Sequence, residues 1–119
     1  MDRNNPIAAL SKEFALRIIK LNKYLIDTKH EFVLSKQVLR SGTSIGANIR
    51  ESIYAQSRAD FINKMSIALK ESSETEYWLE LLHESEYLDD KAFESIYDDN
   101  CKISATLINI IKKTKETTE

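Results

Sequence analysis

With 119 residues, 17 Lys+Arg against 19 Asp+Glu, two Gly, one Pro and one Cys, the chain is long enough for one core and too short for two. So few Gly and Pro cannot supply the turns of an all-β fold, one Cys cannot form an internal disulfide or a thiolate cluster, and neither an apolar run near twenty residues nor a secretory h-region appears. These exclusions predict one all-α domain over residues 1–119, cytoplasmic and without a membrane partner.

The first helix is expected from about Ile7 to Thr28. There Ile7, Leu10, Phe14, Ile18, Leu21 and Leu25 recur three and four apart behind Pro6, which a first helical turn tolerates. Ala8, Ala15, Ile19 and Ile26 widen the apolar arc beyond one core seam and predict a second buried contact, with another subunit. After the polar break Lys29-His30-Glu31, a second stripe runs through Leu34, Val38, Ser41, Ile45, Ile49 and Ile53. It crosses Gly42 and Gly46, which taken locally signal a turn. Their spacing of four, beside Ala47, favours instead a continuous helix whose glycines admit a neighbouring backbone, at roughly 1 kcal/mol of helix propensity each. A break at Gly42 is the rival.

Ser57 with Asp60 forms a helix-start cap, and Phe61, Met65, Ala68, Ser72, Thr75, Leu79 and Leu82 then keep a four-three spacing to His83. Of the adjacent Tyr77 and Trp78, only one can face the core, which leaves the other as an interface candidate. Leu88-Asp89 offers a staple and cap for a fourth helix with the stripe Phe93, Ile96, Asn100, Ile103, Leu107 and Ile110; Cys101 beside it is expected to be a small core hydrophobe. Tyr97, Ile108 and Ile111 exceed that stripe and join Ile19 and Ile26 as candidate oligomer-interface residues. Links of a few residues make successive helices neighbours, so the expected architecture is an antiparallel up-down-up-down four-helix bundle.

Charge is uneven along the chain. Residues 1–60 carry 10 Lys/Arg and 6 Asp/Glu, whereas residues 61–119 carry 7 and 13, and between Glu71 and Asp99 eleven acids face only Lys91. A dipolar surface is expected, with a basic side able to meet phosphate or an acidic partner.

Chemistry is sparse. A metal-bearing bundle needs Glu-x-x-His from each of two helices, but only Glu80-Leu81-Leu82-His83 has that spacing, and His30 is preceded by Asp27 at a helix end. Two glycines cannot build a phosphate loop or a nucleophile elbow. No cofactor, metal or enzymatic activity is expected. Asn48, Glu51, Glu74 and Glu76 lie on or beside apolar stripes, near Ser72, Ser73 and Thr75, and a partly buried carboxylate with hydroxyl or amide donors is expected to fix helix register.

The stretch from Leu34 to Ser52, LSKQVLRSGTSIGANIRES, resembles the signature of the four-helix-bundle proteins encoded in intervening sequences of bacterial 23S ribosomal RNA genes. FINKMSIALKE from Phe61 and ETEYWL from Glu74 resemble that family's third-helix motif, in the expected order. The resemblance spans about Phe14 to Leu82 and combines Gly42, Gly46, Asn48, Glu51 and Glu74. It implies a four-helix bundle, a ring-shaped homopentamer and no established enzymatic activity. A related branch comprises accessory proteins of diversity-generating retroelements, which meet RNA and a reverse transcriptase through a strongly basic surface. This chain has a net charge of -2, so RNA or a ribonucleoprotein partner must use a local patch. The candidates are Arg17, Lys20 and Lys23 on helix one with Lys36, Arg40, Arg50 and Arg58 on helix two. The alternative is a scaffold that recognises only protein.

Overall fold

The structure, a computed structural model, describes residues 5–117. Four helices follow in order: α1 (Pro6–Asp27), α2 (Leu34–Ile53), α3 (Arg58–Glu84) and α4 (Asp90–Glu116). No strand occurs among the described residues, so the all-α four-helix expectation holds, and α2 runs unbroken through both glycines.

Local chemistry sets the ends. Asn5, Ser57 and Asp89 each accept a hydrogen bond from the backbone N–H three residues on, capping α1, α3 and α4. Helix α2 starts differently. Its N-cap, Val33, has no capping side chain, and Glu31 supplies the acceptors: Oε1 receives the N–H groups of Val33 and Leu34, and Oε2 that of Ser35, each at 2.8 Å. The polar break expected at Lys29-His30-Glu31 therefore contains a buried structural carboxylate. His30 and Glu86 adopt positive φ of 54° and 70° just after α1 and α3, where glycine is the usual residue.

Each helix packs on its sequence neighbour, and a thinner α1–α4 seam closes the ring of four. Contact pairs run in opposite directions along neighbours: Gly46 and Gly42 lie by Ser11 and Ile18 of α1, and Asn22 reaches the Ser35 carbonyl. On α3 and α4, Arg58 meets Thr117 and Ser72 meets Asn100. The result is a rod of 50 × 21 × 20 Å. Its core takes Phe14, Ile18 and Leu25 from α1, Val38, Ile45 and Ile49 from α2, Met65, Leu79 and Leu82 from α3, and Ile103 and Leu107 from α4. Trp78 packs against this core and Tyr77 faces solvent, which answers the choice between them.

The glycines act through shape. A Cβ on Gly42 would lie 2.7 Å from Ile18 Cγ1, whereas one on Gly46 would find its nearest neighbour, in Ser11, at 3.4 Å. At Gly42 the Ile18 side chain takes the place of a Cβ, whereas at Gly46 the neighbour is the Ser11 backbone and hydroxyl at ordinary contact distance.

Candidate functional site

Among the described residues, no group of three or more His, Cys, Asp or Glu side chains is placed to hold a metal ion, and no helix is long and apolar enough to cross a membrane. Apart from Glu31 at the start of α2, the buried polar residues are neutral. Ser41 Oγ and Thr75 Oγ1 are 2.9 Å apart between α2 and α3. Between α3 and α4, Ser72 Oγ donates to Asn100 Oδ1 at 2.9 Å while Asn100 Nδ2 donates to the Ser72 carbonyl at 3.0 Å. All four residues are buried, and these pairs specify helix register. Among the carboxylates expected in this role, Glu76 accepts from the part-buried Tyr97 hydroxyl across α3–α4. The other two lie on the flanks of the seams: Glu51 accepts from Lys64 at 3.1 Å, and Glu74, with Glu71, meets Arg40. Asn48 donates to its own helix at the Ser44 carbonyl. The inward positions of a crowded bundle go to short neutral groups because an ion there would lose its hydration.

One cluster stands out on the α3–α4 side. The Tyr97 hydroxyl lies 2.6 Å from Glu76 Oε1 and 3.1 Å from Glu80 Oε2. It has one proton to give to two carboxylates. The hydrogen bond to Glu76, then burial, then Glu80 hold the phenol protonated well above its usual range. Neither carboxylate has a cationic partner among the described residues. Cys101, one turn on from Tyr97, is exposed, a correction to the core position expected from its place beside the α4 stripe. Residue 100 takes the inward direction, and 100° of rotation carries 101 out. Partial burial of its thiol, then the charges of Glu76, Asp98 and Glu80, push its pKa up.

The seven basic candidates divide. Arg17 binds Asp99 and donates to Ser95, Arg40 is held by α3, and Arg58 donates to the Thr117 carbonyl at 2.6 Å. Lys20, Lys23, Lys36 and Arg50 have no ion-pair partner among the described residues. Arg50 and Lys12 flank a shallow groove of about 260 Å³ between α1 and α2, floored by Ala8, Ala15 and Gly46.

The apolar candidates divide as well. Tyr97 and Ile111 pack against the bundle's own core, so part of the surplus on α4 is used within the chain. Ile26 is half-buried. Ile19 and Ile108 stay exposed, as does Tyr77, the interface candidate once Trp78 takes the core, and they are joined by Leu16, Tyr24, Phe32, Val33 and Tyr54, which periodicity does not single out. Leu16, Ile19 and Lys23 follow at i, i+3 and i+7 along one outward face of α1. Tyr97, Cys101 and Ile108 follow at i, i+4 and i+11 along the flank of α4 that turns toward α3.

Comparison with known proteins gives a consistent picture. The family described as 23S rRNA-intervening sequence protein matches residues 3–109. A solved crystal structure from Bacteroides thetaiotaomicron VPI-5482, described as a protein with unknown function from the S23 ribosomal protein family, is 60% identical. It covers 89% of this chain and 98% of its own, with a TM-score of 0.89. No curated protein matches the chain.

Proposed function

The chain belongs to the 23S rRNA-intervening sequence protein family, and from that premise we propose a non-enzymatic bundle that works by assembling with copies of itself. The observation that carries this reading is that Leu16, Ile19, Tyr77 and Ile108 stay exposed along the helices, outside the packed core, with Tyr24, Phe32, Val33 and Tyr54 exposed as well. Covering such surface between subunits gains about 25 cal/mol per Å² of apolar area. The opposite charges of the two halves would then orient the copies more than hold them. A ring of five is the number the family resemblance implies.

Gel filtration coupled to light scattering tests the reading. The expected mass at micromolar concentration is five times 13.7 kDa. A monomer mass across that range would overturn it. Ile108→Glu should lower the assembled fraction while leaving the unfolding midpoint of the subunit nearly unchanged. Ile111→Glu, in contrast, should damage folding too, because Ile111 packs on the core.

A second reading, RNA or ribonucleoprotein binding, is favoured by Lys20, Lys23, Lys36 and Arg50, cations with no ion-pair partner among the described residues. Phosphate contacts would make affinity fall steeply between low and moderate salt, by a power of the number of contacts. Salt-independent capture of a protein partner would point to recognition of protein alone.

A further inference from the structure

We propose that the α1 face carrying Leu16, Ile19, Lys20 and Lys23 seats on the α3–α4 face of a second copy, with its lysines at the Glu76–Glu80 pair. This inference rests on the self-assembly reading and adds which surfaces meet.

The charge pattern identifies the two faces. Two other interhelical seams carry ion pairs inside the chain: Arg17 with Asp99 across α1–α4, and Arg40 with Glu71 and Glu74, then Lys64 with Glu51, across α2–α3. The α3–α4 seam is not balanced. Apart from the His83–Asp90 contact near its end, it places two carboxylates around one phenol proton, with no ion-pair partner for either among the described residues. The negative field of Glu76 and Glu80, with Asp98, reaches Cys101 as well. A complementary imbalance lies on α1, where Lys20 and Lys23 are exposed and have no ion-pair partner among the described residues.

Apolar surface accompanies both. Leu16 and Ile19 sit one to two turns from Lys23 on α1, and Ile108 lies two turns from Cys101 on α4. Each face is therefore a small apolar patch with a charged end, of opposite sign on the two. The same pattern disfavours a two-fold dimer that sets like faces together with their charged ends adjacent. Setting the α3–α4 face against itself would bring four carboxylates together, and α1 against α1 would bring four lysines together, each a like-charge penalty. Pairing unlike faces is a head-to-tail contact, which closes into a ring when its rotation fits.

The test combines charge reversal with cross-linking in the full chain. Lys20→Glu/Lys23→Glu and Glu76→Lys/Glu80→Lys should each weaken assembly at least ten-fold by light scattering, and all four changes in one chain should restore most of it. Circular dichroism melting separates loss of assembly from loss of fold. Independently, Ile19→Cys treated with a short bismaleimide should give a ladder of covalent dimers and higher species through Cys101. The unmodified protein, whose only thiol is Cys101, should stay monomeric on denaturing gels.

Covalent dimers of the unmodified protein would instead place two Cys101 residues together and overturn the head-to-tail assignment. An assembled protein whose Lys20→Glu/Lys23→Glu variant keeps its mass, and whose Ile19→Cys variant gives no ladder, would also overturn it, with self-assembly still standing. A monomeric unmodified protein would remove the underlying reading itself. If the glutamate-reversed chain fails to fold, the lysine variant and the cross-link decide alone.

Discussion

Where α1 meets α2, one backbone is bare: Gly42 lies against Ile18 and Gly46 against Ser11, and the seam is specified by close approach. Where α3 meets α4, side chains bridge the gap through Ser72 and Asn100, the Tyr97 hydroxyl and its carboxylates, and the His83 ring stacked on Phe93 at 4.1 Å. One half of the bundle is fixed by shape and the other by hydrogen bonds. The two devices fail differently. Added volume harms the first seam, whereas loss of a partner harms the second, because a buried polar group left alone keeps its full desolvation cost.

The largest effect is expected at the bonded seam. Asn100→Ala should destabilise by about 2–3 kcal/mol, since it leaves Ser72 Oγ buried without its acceptor and opens a small cavity. Denaturant unfolding at fixed protein concentration checks it, and a loss well under 1 kcal/mol would show that this seam does not rest on the pair.

Next, the shape-fixed seam should separate its two glycines. Gly42→Ala should cost about 1–2 kcal/mol net, because displacing the buried Ile18 outweighs the roughly 1 kcal/mol gained in helix propensity. Gly46→Ala, with ordinary contact distance at its Cβ, should be neutral or stabilising by up to about 1 kcal/mol. Equal effects at the two sites would refute the distinction.

Glu31→Ala tests the entry to the same half. Losing three N–H acceptors at the start of α2 should cost about 1–2 kcal/mol, with exchange of the Val33, Leu34 and Ser35 amides accelerated first. Unchanged protection of those amides would mean that water replaces the carboxylate without loss.

The smallest effect is a pH dependence in the bonded half. The Tyr97 phenol is held protonated in the folded chain, above its unfolded value of 10.0. Its contribution is therefore complete below about pH 10 and is lost as pH rises through the folded value. Tyr97→Phe should cost about 0.5–1.5 kcal/mol at neutral pH, and the gap to the unmodified protein should narrow above pH 10. A gap that widens with pH would reverse the sign.

Much of this was legible in the sequence because helices announce themselves locally. Apolar spacing, Ser57 and Asp89 as caps, and Pro6 in a first turn are short-range signals, and the four helices begin and end within a residue or two of those marks. Even Ser41, Ser72, Thr75 and Asn100 were placed on core stripes by spacing alone. Their partners were not, since which stripe faces which depends on how the helices rotate about one another.

Glu31 looked like loop polarity, because a residue three positions ahead of a helix end shows its acceptor role only when the backbone turns back on it. Cys101 looked buried, because a stripe one residue wide cannot be told from its neighbour without the partner helix. The seven basic candidates looked equivalent, because charge in a sequence carries no partner. Folding sets Arg17, Arg40 and Arg58 against acceptors far along the chain and leaves Lys20, Lys23, Lys36 and Arg50 without an ion-pair partner among the described residues. Periodicity and caps thus fixed the elements from local geometry alone, while burial, pairing and the two unbalanced faces were decided only by packing, which brings together residues that the chain keeps apart.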